Sequence, residues 1–425
     1  MNAFEKVIGY EDIKRELMQV VDQIHNKEIY ESLGAKMPRG LLLHGEPGLG
    51  KTLLANCLIE ESGLPVFTLR RTKAGNDFMN DITETFHRAA DSAPAIVFLD
   101  DMDKFANEDS NHRDAEEYVA VQAAIDGVKE TDVFVLATVN KMVKLPASLF
   151  RSGRFDKVVE VKAPEEEDAR KIIEYYLKDK KISEDVDMDD LSKMISYHSC
   201  AELESVLNEA AIQAAFARKP RIAMEDIMEI VLKNQYGMEG NCAQMSEDKI
   251  RQTALHEAGH LVASEVFDPG SVGVASIRPN SNCVDGFVRR CRSLPRRPQH
   301  VVVSLAGKAA VELYYSEACA SGCGADIERA YTLIREGLAL SGTQGFGMID
   351  VAMHRFPDTS ESMNSRSEAV TQAELERYMF KARDILLKNR EFLEKTADAL
   401  MEKKTLLASD IRRIREDCVI TEVAL

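Results

Sequence analysis

Short apolar runs alternate with helical patterns between residues 40 and 160 of this chain. The runs are GLLLH, PVFTL, AIVFL, VFVLATV and KVVEV, and segments such as KTLLANCLIEES and DITETFHRAADS lie between them. Continuous apolar strands joined by helices are typical of a parallel sheet that is covered on both faces. The pattern therefore predicts an α/β domain, which we place over residues 1–163.

After Pro164 the periodicity is helical. Segments such as EEEDARKIIEYYL and AELESVLNEAAIQAAF carry apolar residues three or four positions apart and predict a helical domain over residues 164–236. GMEGNCAQMS interrupts the pattern and predicts a linker over residues 237–246. A second α-rich domain is predicted over residues 247–425. It has a few short strands in VGVASIRPNSNCVDGFVRRC and long amphipathic helices towards its end.

The composition limits the classes of function. The chain has 425 residues, and Asp and Glu outnumber Lys and Arg by 71 to 54, for a net charge of −17. This acidity argues against nucleic acid as a partner, because phosphate binding requires basic side chains. The eight cysteines are irregularly spaced, and MNAFEKVIGYEDIKREL is no signal sequence. No apolar stretch approaches the ~20 residues of a membrane span. We therefore expect a cytoplasmic protein, or one at the cytosolic face of a membrane if the sequence is a piece of a longer chain.

GLLLHGEPGLGKTLLA has the spacing of a phosphate-binding loop. Gly45 and Gly50 flank four residues, and Lys51 and Thr52 follow, after a strand pattern and before a helical one. In such a loop backbone N–H groups turn towards a polyphosphate, the lysine adds positive charge, and the hydroxyl is a ligand of Mg²⁺. The alternative is a glycine-rich turn without a ligand, but all fixed residues and both flanks fit the loop. We therefore predict ATP or ADP with Mg²⁺ here.

Polar residues follow two later apolar runs. Asp100 and Asp101 end AIVFLDD, and Asn140 ends VLATVN. Near a phosphate-binding loop, Asp100 suits coordination of Mg²⁺ through water, Asp101 suits orientation of the attacking water, and Asn140 suits holding that water. LFRSGRFD adds Arg151 and Arg154. They form either a solvated turn or a pair that stabilises charge on the γ-phosphate across a subunit interface.

LHEAGHLVASE raises the question of a metal site. His256 and His260 are four residues apart, which on a helix places both imidazoles on one face, where they can share a zinc ion. Glu257 is then placed to take a proton from a water in the open coordination position. The alternative is an ordinary polar helix face. The helix is otherwise apolar, so these polar side chains would be buried at a cost without a ligand.

Residues 7–234 resemble the AAA+ ATPases, and FEKVIGYEDIKREL, SLGAKMPRGLLLHGEPGLGKT and SLFRSGRFDKVVEV resemble the FtsH family of ATP-dependent zinc metalloproteases. The resemblance implies an α/β P-loop domain with a parallel sheet and a helical lid, followed by a mostly α-helical zinc metallopeptidase domain. It also implies a homo-oligomer, a hexameric ring in which Arg151 and Arg154 act on a neighbour's ATP and protein substrates are threaded into a chamber. The nucleotide-binding residues we predict are Ile8, Gly9, Gly45, Glu46, Pro47, Gly48, Leu49, Gly50, Lys51, Thr52, Leu53 and Asp100.

SGCGADIERAYTLI supplies the third metal ligand by the same resemblance. In the family an aspartate that opens a downstream helix completes the zinc site, and Asp326 is at that position. Without the resemblance, Asp326 would be interpreted as an N-cap-like residue. We therefore predict one Zn²⁺ per chain, held by His256, His260 and Asp326, with Glu257 as the catalytic base.

The chain departs from the family at four places. The family's two N-terminal membrane helices are not part of this sequence. Asp101 occupies the position of a glutamate and is one methylene shorter. The aromatic pore loop is not recognisable in RRTKAGNDFMNDI, which offers KAG or the displaced Phe78 instead. Tyr176 is found where a family histidine would flank adenine, and Cys200 replaces a glycine of the lid.

Three functions stay open at this point. The leading one is an ATP-dependent zinc endopeptidase that unfolds, translocates and degrades proteins. The second is an ATP-responsive chaperone or scaffold ring with weak hydrolysis. The third is a zinc protease that uses nucleotide only for assembly. Asp101 and the altered pore loop favour the second and third, whereas the intact HEAGH with Asp326 favours the first and third.

Overall fold

The computed structural model describes residues 2–71, 76–105, 115–151, 153–238, 246–278, 286–315, 320–341 and 361–423. The chain divides into two units. One comprises Met1–Asp179 and Tyr197–Ser205, and the other comprises Lys180–Ser196 and Val206–Leu425. The domain boundaries given by the sequence, near residues 163, 236 and 246, stay a prediction, and most of the linker lies outside the described residues.

The first unit contains the predicted parallel sheet. Its strands are β1 (Gly40–His44), β2 (Val66–Leu69), β3 (Ala95–Leu99), β4 (Val133–Val139) and β5 (Lys157–Glu160), in the order β2-β3-β4-β1-β5. β3 and β4 are buried along their whole length, as expected of continuous apolar runs in a sheet covered on both faces. The α/β prediction is confirmed. Ligands of such sheets bind beyond the carboxyl ends of the strands, which is where the loop after β1 lies.

Helices surround this sheet. They are α1 (Glu11–His25), α2 (Lys27–Ser32), α3 (Lys51–Ser62), α4 (Asn76–Asp91), α5 (Ala115–Gly127) and α6 (Glu166–Leu177). α3 starts directly after Gly50, whose φ of 82° is in the left-handed region, and ends at Gly63, whose φ is 63°. Apolar residues of α4 and α5, among them Ile82 and Val121, join the core formed by the sheet.

The second unit is mostly helical, as predicted. Its helices are α7 (Met188–Ile195), most of α8 (Cys200–Phe216), α9 (Met224–Tyr236), α10 (Glu247–Phe267), α11 (Arg297–Glu312), α12 (Ala320–Ser341), α13 (Glu361–Lys388), α14 (Arg390–Lys403) and α15 (Ala408–Glu416). The N-cap of α10 is Ser246, whose side chain accepts a hydrogen bond from the backbone N–H of Lys249. Within the described parts of the chain, no helix combines the length and the apolar character needed to cross a bilayer.

A small antiparallel sheet accompanies these helices. It consists of β6 (Val272–Ser276), β7 (Phe287–Arg290) and β8 (Thr405–Leu407), in the order β7-β6-β8. The sequence predicted strands in the region of β6 and β7 but not β8. β8 has only three residues between two helices, which is too short to produce a recognisable alternation. β7 is an edge strand of the described sheet, and this position matters for the site.

Candidate functional site

The structure brings the three predicted metal ligands together. His256 and His260 lie one turn apart on α10, and Asp326 lies near the start of α12. The Nε2 atoms of His256 and His260 are 3.0 Å apart. Oδ2 of Asp326 is 3.1 Å from Nε2 of His256 and 3.2 Å from Nε2 of His260. Ligand atoms held tetrahedrally at zinc–ligand distances are roughly 3.3 Å apart. The spacing therefore fits a zinc ion with three protein ligands.

The protonation pattern of this cluster also fits a cation. Nδ1 of His260 is 2.7 Å from the backbone oxygen of Val303, so this nitrogen carries the proton and donates it. When Nε2 is unprotonated, its lone pair points towards the carboxylate of Asp326, and a cation between the two groups makes this arrangement favourable. Burial alone would raise the pKa of Asp326, but the two histidines more than offset burial and lower it. The donor set therefore suits a metal ion.

Two glycines let α10 and α11 approach closely enough to build this cluster. A Cβ added to Gly259 would lie 2.4 Å from the backbone oxygen of Ala306, and one added to Gly307 would lie 2.4 Å from Nε2 of His260. The imidazoles thus rest directly on the backbone of α11. Sequence reasoning missed the role of Gly307, although small residues at LAGKAA in an apolar helix are a signal of close helix packing.

Gly307→Ala should weaken zinc binding by at least about tenfold, because the new methyl group displaces both imidazoles. Zinc content after equilibration with a calibrated chelator measures the effect. Gly127→Ala is the matched control, since a Cβ at this helical glycine meets nothing within 4 Å. Equal zinc affinity in Gly307→Ala and wild type would show that the packing of α11 against the ligands has been misjudged.

Glu257, the predicted base, is buried beside the ligands and is 3% exposed. It lines a cavity of about 320 Å³ together with His256, His260 and Asp326. β7 begins close by, since a Cβ at Gly286 would lie 2.7 Å from Cγ of Glu257. The carboxylate therefore faces the space next to the metal position and is not one of the three clustered ligands.

The phosphate-binding loop has the predicted form at the carboxyl end of β1. Gly48 and Gly50 have left-handed φ values of 79° and 82°, which let the loop curl before α3. Nζ of Lys51 donates hydrogen bonds of 2.8 Å and 2.7 Å to the backbone oxygens of Gly45 and Glu46. Burial lowers the pKa of Lys51. The amine is thus held inside the loop, where a phosphate would bind.

The polar residues after β3 and β4 converge on the same edge of the sheet. Thr52 Oγ1 donates to Oδ1 of Asp100 at 3.2 Å, as expected if both coordinate one Mg²⁺. Asn140 Nδ2 donates to Oδ1 of Asp101 at 3.0 Å, and Lys104 forms a 2.6 Å ion pair with Oδ2 of Asp101. Burial alone would raise the pKa of Asp101, but Lys104 and Asn140 lower it. The structure therefore places Asp101 and Asn140 side by side, and adds Lys104, which sequence reasoning missed.

A cavity of about 390 Å³ adjoins the loop. Of the predicted nucleotide-binding residues, those that line it are Ile8, Gly48, Leu49, Gly50 and Leu53, and the two family departures Tyr176 and Cys200 line it as well. Gly9 does not line the cavity. A Cβ there would lie 2.9 Å from the Asp168 carboxylate, so Gly9 shapes the segment that carries Ile8. Glu46 and Pro47 lie in the loop itself.

The two predicted arginine fingers differ in their surroundings. Arg154 is 8% exposed, and its guanidinium forms a two-pronged ion pair with Asp126 at 2.9 Å and 2.7 Å. Hydrogen bonds from Arg154 lower the pKa of Asp126 to about 2. Arg151 is exposed. Arg154 is thus engaged within its own chain, whereas Arg151 faces solvent, and both finger roles stay predictions.

The pore-loop candidates from the sequence are the KAG segment and Phe78. The KAG segment at residues 73–75 lies outside the described residues. Phe78 is fully buried in α4 and packs edge-on against Phe105 with ring centroids 5.2 Å apart. The suggestion that Phe78 acts as a displaced pore aromatic is therefore wrong, because its ring belongs to the core.

Comparison with known proteins places both sites in families. The profile of the ATPase family associated with various cellular activities (AAA) matches residues 41–163, and that of peptidase family M41 matches residues 243–414. The ATP-dependent zinc metalloprotease FtsH of Caldicellulosiruptor bescii is 30% identical over 449 residues, which covers 97% of this chain and 72% of that protein. The ATP-dependent zinc metalloprotease FtsH of Thermus thermophilus is 30% identical over 447 residues, which covers 97% of this chain and 70% of that protein.

A third relative gives the same picture. The ATP-dependent zinc metalloprotease FtsH 3 of Petrotoga mobilis is 29% identical over 452 residues, which covers 96% of this chain and 68% of that protein. The AAA match contains the phosphate-binding loop, and the M41 match contains all three clustered ligands. Two specific motifs thus occur in the order that the sequence predicted, over nearly the whole chain. The chain belongs to the FtsH family of ATP-dependent zinc metalloproteases.

Proposed function

We propose that this protein is an ATP-dependent zinc endopeptidase that unfolds, translocates and degrades protein substrates in a ring. The observation that carries the proposal is the cluster of His256, His260 and Asp326 beside the buried Glu257, within an M41 domain that follows an AAA domain. The cluster supports hydrolysis of peptide bonds, and the phosphate-binding loop supports the use of ATP.

The roles of the residues at the peptidase site follow from their positions. His256, His260 and Asp326 would hold Zn²⁺. When bound, zinc lowers the pKa of water and polarises the scissile carbonyl group. Glu257, which is not a ligand, takes the proton from the attacking water and delivers it to the leaving amine. Val303 fixes the orientation of His260 through its backbone oxygen.

The substrate backbone has a place to bind. β7 pairs with β6 on one side only in the described sheet, and its residues Phe287 and Val288 line the cleft that holds the ligands. An edge strand offers unpaired N–H and C=O groups to which an extended peptide can add as a further strand. Such a peptide would run past the three ligands. A peptide can bind in this extended form only when the substrate is unfolded. The role of the ATPase would be to unfold it.

The ATPase residues support hydrolysis, but an ion pair holds the carboxylate of one of them. Lys51 and Thr52 would contact the phosphates and Mg²⁺, with Asp100 behind Thr52. Asp101 and Asn140, which are hydrogen-bonded to each other, would orient the attacking water as acidic and amide side chains do in P-loop enzymes. The Asp101 carboxylate is also paired with Lys104. This ion pair favours a second candidate, a zinc protease with weak ATP hydrolysis that uses nucleotide mainly for assembly.

Ring assembly is part of the proposal, with a hexamer as the expected size. An arginine acts on a neighbour's γ-phosphate only if its guanidinium can be reached from outside its own chain, and Arg151 is exposed in the single chain. For Arg154 to act as a finger, its ion pair with Asp126 would have to break. We therefore assign the leading finger role to Arg151.

Arg151→Ala should lower ATP turnover per chain by at least about tenfold while ATP affinity and ring size stay unchanged. Steady-state ATPase assays and sedimentation velocity measure the two properties. Arg15→Ala is the control, because Arg15 is an exposed arginine in a surface ion pair of the same unit. Normal turnover in Arg151→Ala would remove Arg151 from the ATPase mechanism.

Metal removal tests the peptidase directly. A zinc chelator should abolish cleavage of an unfolded protein such as reduced casein, and added Zn²⁺ should restore it, because Glu257 alone cannot lower the pKa of water or polarise the scissile carbonyl group as the metal does. If the enzyme is fully folded by circular dichroism and leaves casein uncleaved in the presence of zinc, the proposed function is contradicted. Cleavage that survives complete zinc removal would contradict it as well.

A further inference from the structure

The cleft that holds the metal ligands has a basic end that the peptidase chemistry does not use. Arg290 at the end of β7, His300 on α11 and Arg329 on α12 line it there. Val288 and Arg290 are two residues apart on β7, so their side chains project from the same face of the strand, and both line the cleft. Arg289, between them, instead donates to the backbone oxygen of Ser196.

Arg290 is positioned by His300 and has an unused donor. Nε2 of His300 is 2.9 Å from the backbone oxygen of Leu294 and carries the proton, which leaves Nδ1 to accept from Nη2 of Arg290 at 3.2 Å. Nη1 of Arg290 is buried and has no hydrogen-bond partner among the described residues. A buried N–H group without an acceptor costs free energy, and an acceptor that reached this guanidinium from the cleft would offset that cost.

Arg329 adds a second positive charge to this end of the cleft. It follows Asp326 by three residues on α12, which places both side chains on one face of the helix. Burial, and after it the nearby charge of Arg329, lower the pKa of Arg290. Arg290 and Arg329 line the same cleft, so an anion bound there would offset the like charge of their guanidinium groups.

The described cleft offers these arginines no free carboxylate of its own. Its described acidic lining residues are Glu257 and Asp326, and both belong to the zinc site. Asp268, the nearby acid outside the lining, is paired with Arg292 at 2.7 Å. Among the described residues that line the cleft, no acidic side chain outside the zinc site therefore compensates the positive charges of Arg290 and Arg329. The chain as a whole, in contrast, is acidic with a net charge of −17.

We propose that Arg290, with Arg329, forms a specificity subsite that binds a carboxylate of the substrate peptide, so that the enzyme cuts preferentially near Glu or Asp. The inference rests on the proposed peptidase function. Guanidinium and carboxylate form charge-assisted hydrogen bonds with two parallel contacts, which makes arginine a selective partner for this group. The carboxylate can come from an acidic side chain or from the C-terminus of a peptide, and the experiment separates the two sources.

The test uses a peptide that the wild-type protein cleaves. A single Glu, or a single Gln of the same shape, is moved through three positions on each side of the cleaved bond, in peptides with a free and with an amidated C-terminus. We expect kcat/KM for Glu to exceed that for Gln by about tenfold or more at one position, whether or not the peptide is amidated. In Arg290→Gln this ratio should fall towards one, and in Arg290→Lys it should be intermediate.

Arg289→Gln is the matched control, because it removes the same charge from the neighbouring position of the same strand without touching the cleft. It should keep the wild-type ratio. A second readout does not depend on turnover: Glu257→Gln retains the arginines, and fluorescence anisotropy of labelled peptides on its zinc-loaded form should show tighter binding of Glu than of Gln at the same position. Adding Arg290→Gln to this variant should remove the difference in affinity.

Each outcome bears on the proposal. Equal kcat/KM and equal affinity for Glu and Gln at every position, in a protein that cleaves both, would overturn the subsite and leave the peptidase intact. A preference that disappears on amidation would support the carboxylate site but assign it to the chain terminus. If no peptide is cleaved in a zinc-dependent manner, the proposed function fails, and the affinity difference still decides whether Arg290 binds carboxylates.

Discussion

Glu257→Gln should lower peptidase activity by about two orders of magnitude or more while the protein keeps one zinc per chain. The ligand atoms that cluster within 4.8 Å of one another come from His256, His260 and Asp326, so the substitution leaves the metal site in place. It removes the group that takes the proton from water, and a positioned general base contributes ~10²- to 10⁴-fold to rate. Zinc content and the initial rate of casein cleavage, measured on the same sample, give the two results.

A matched control separates the loss of the base from an effect on the helix. Glu247→Gln makes the same chemical change at an exposed position at the start of α10 and should leave both zinc and activity unchanged. Loss of zinc in Glu257→Gln would mean that Glu257 is needed to retain the metal. Near-normal cleavage with zinc bound would mean that another group is the base.

Lys51→Ala should reduce ATP binding by at least about tenfold and lower ATP turnover to background. The Lys51 amine is the buried cation of the loop, held by the backbone oxygens of Gly45 and Glu46, and a phosphate loses its main charge partner when it is removed. Nucleotide titration followed by fluorescence, and phosphate release, measure the two effects. Cleavage of a short peptide should persist, because the zinc ligands are untouched.

Lys27→Ala is the corresponding control. Lys27 is partly exposed and paired with Asp132, away from the loop, so its loss should change neither ATP affinity nor turnover. ATP binding by Lys51→Ala at wild-type affinity would place the nucleotide elsewhere. Loss of both peptide cleavage and ATP binding would show instead that an active ring assembles only with nucleotide. This result would favour the zinc protease that uses nucleotide mainly for assembly.

The sequence predicted most of the elements and much of both sites, because those features have local signals. The apolar runs identified β1 to β5, the glycine spacing identified the loop around Lys51, and the four-residue spacing identified His256 and His260. Asp326 had no such signal. It lies 66 residues from His260 and was found only through the resemblance to a family. Tertiary folding, and not local pattern, brings this carboxylate to the two imidazoles.

Other features depend on contacts that sequence patterns do not report. The ion pair between Arg154 and Asp126 joins residues 28 apart, and the position of Arg154 in the motif gave no indication of it. The sequence offers Phe78 as a displaced pore-loop aromatic, but its ring is part of the core beside Phe105. Gly307 matters because of what lies against it on another helix. In each case the deciding quantity is a distance between segments remote in sequence.

We infer that one chain couples ATP hydrolysis to zinc-dependent proteolysis. The most direct measurement is degradation of a stably folded protein and of an unstructured one, each with ATP, with a non-hydrolysable analogue, and with ATP plus a zinc chelator. We predict that the folded protein is degraded only with ATP, that the unstructured one is degraded with ATP and more slowly with the analogue, and that the chelator stops both. Degradation of the folded protein at the same rate with the analogue as with ATP would show that ATP hydrolysis does not drive its unfolding.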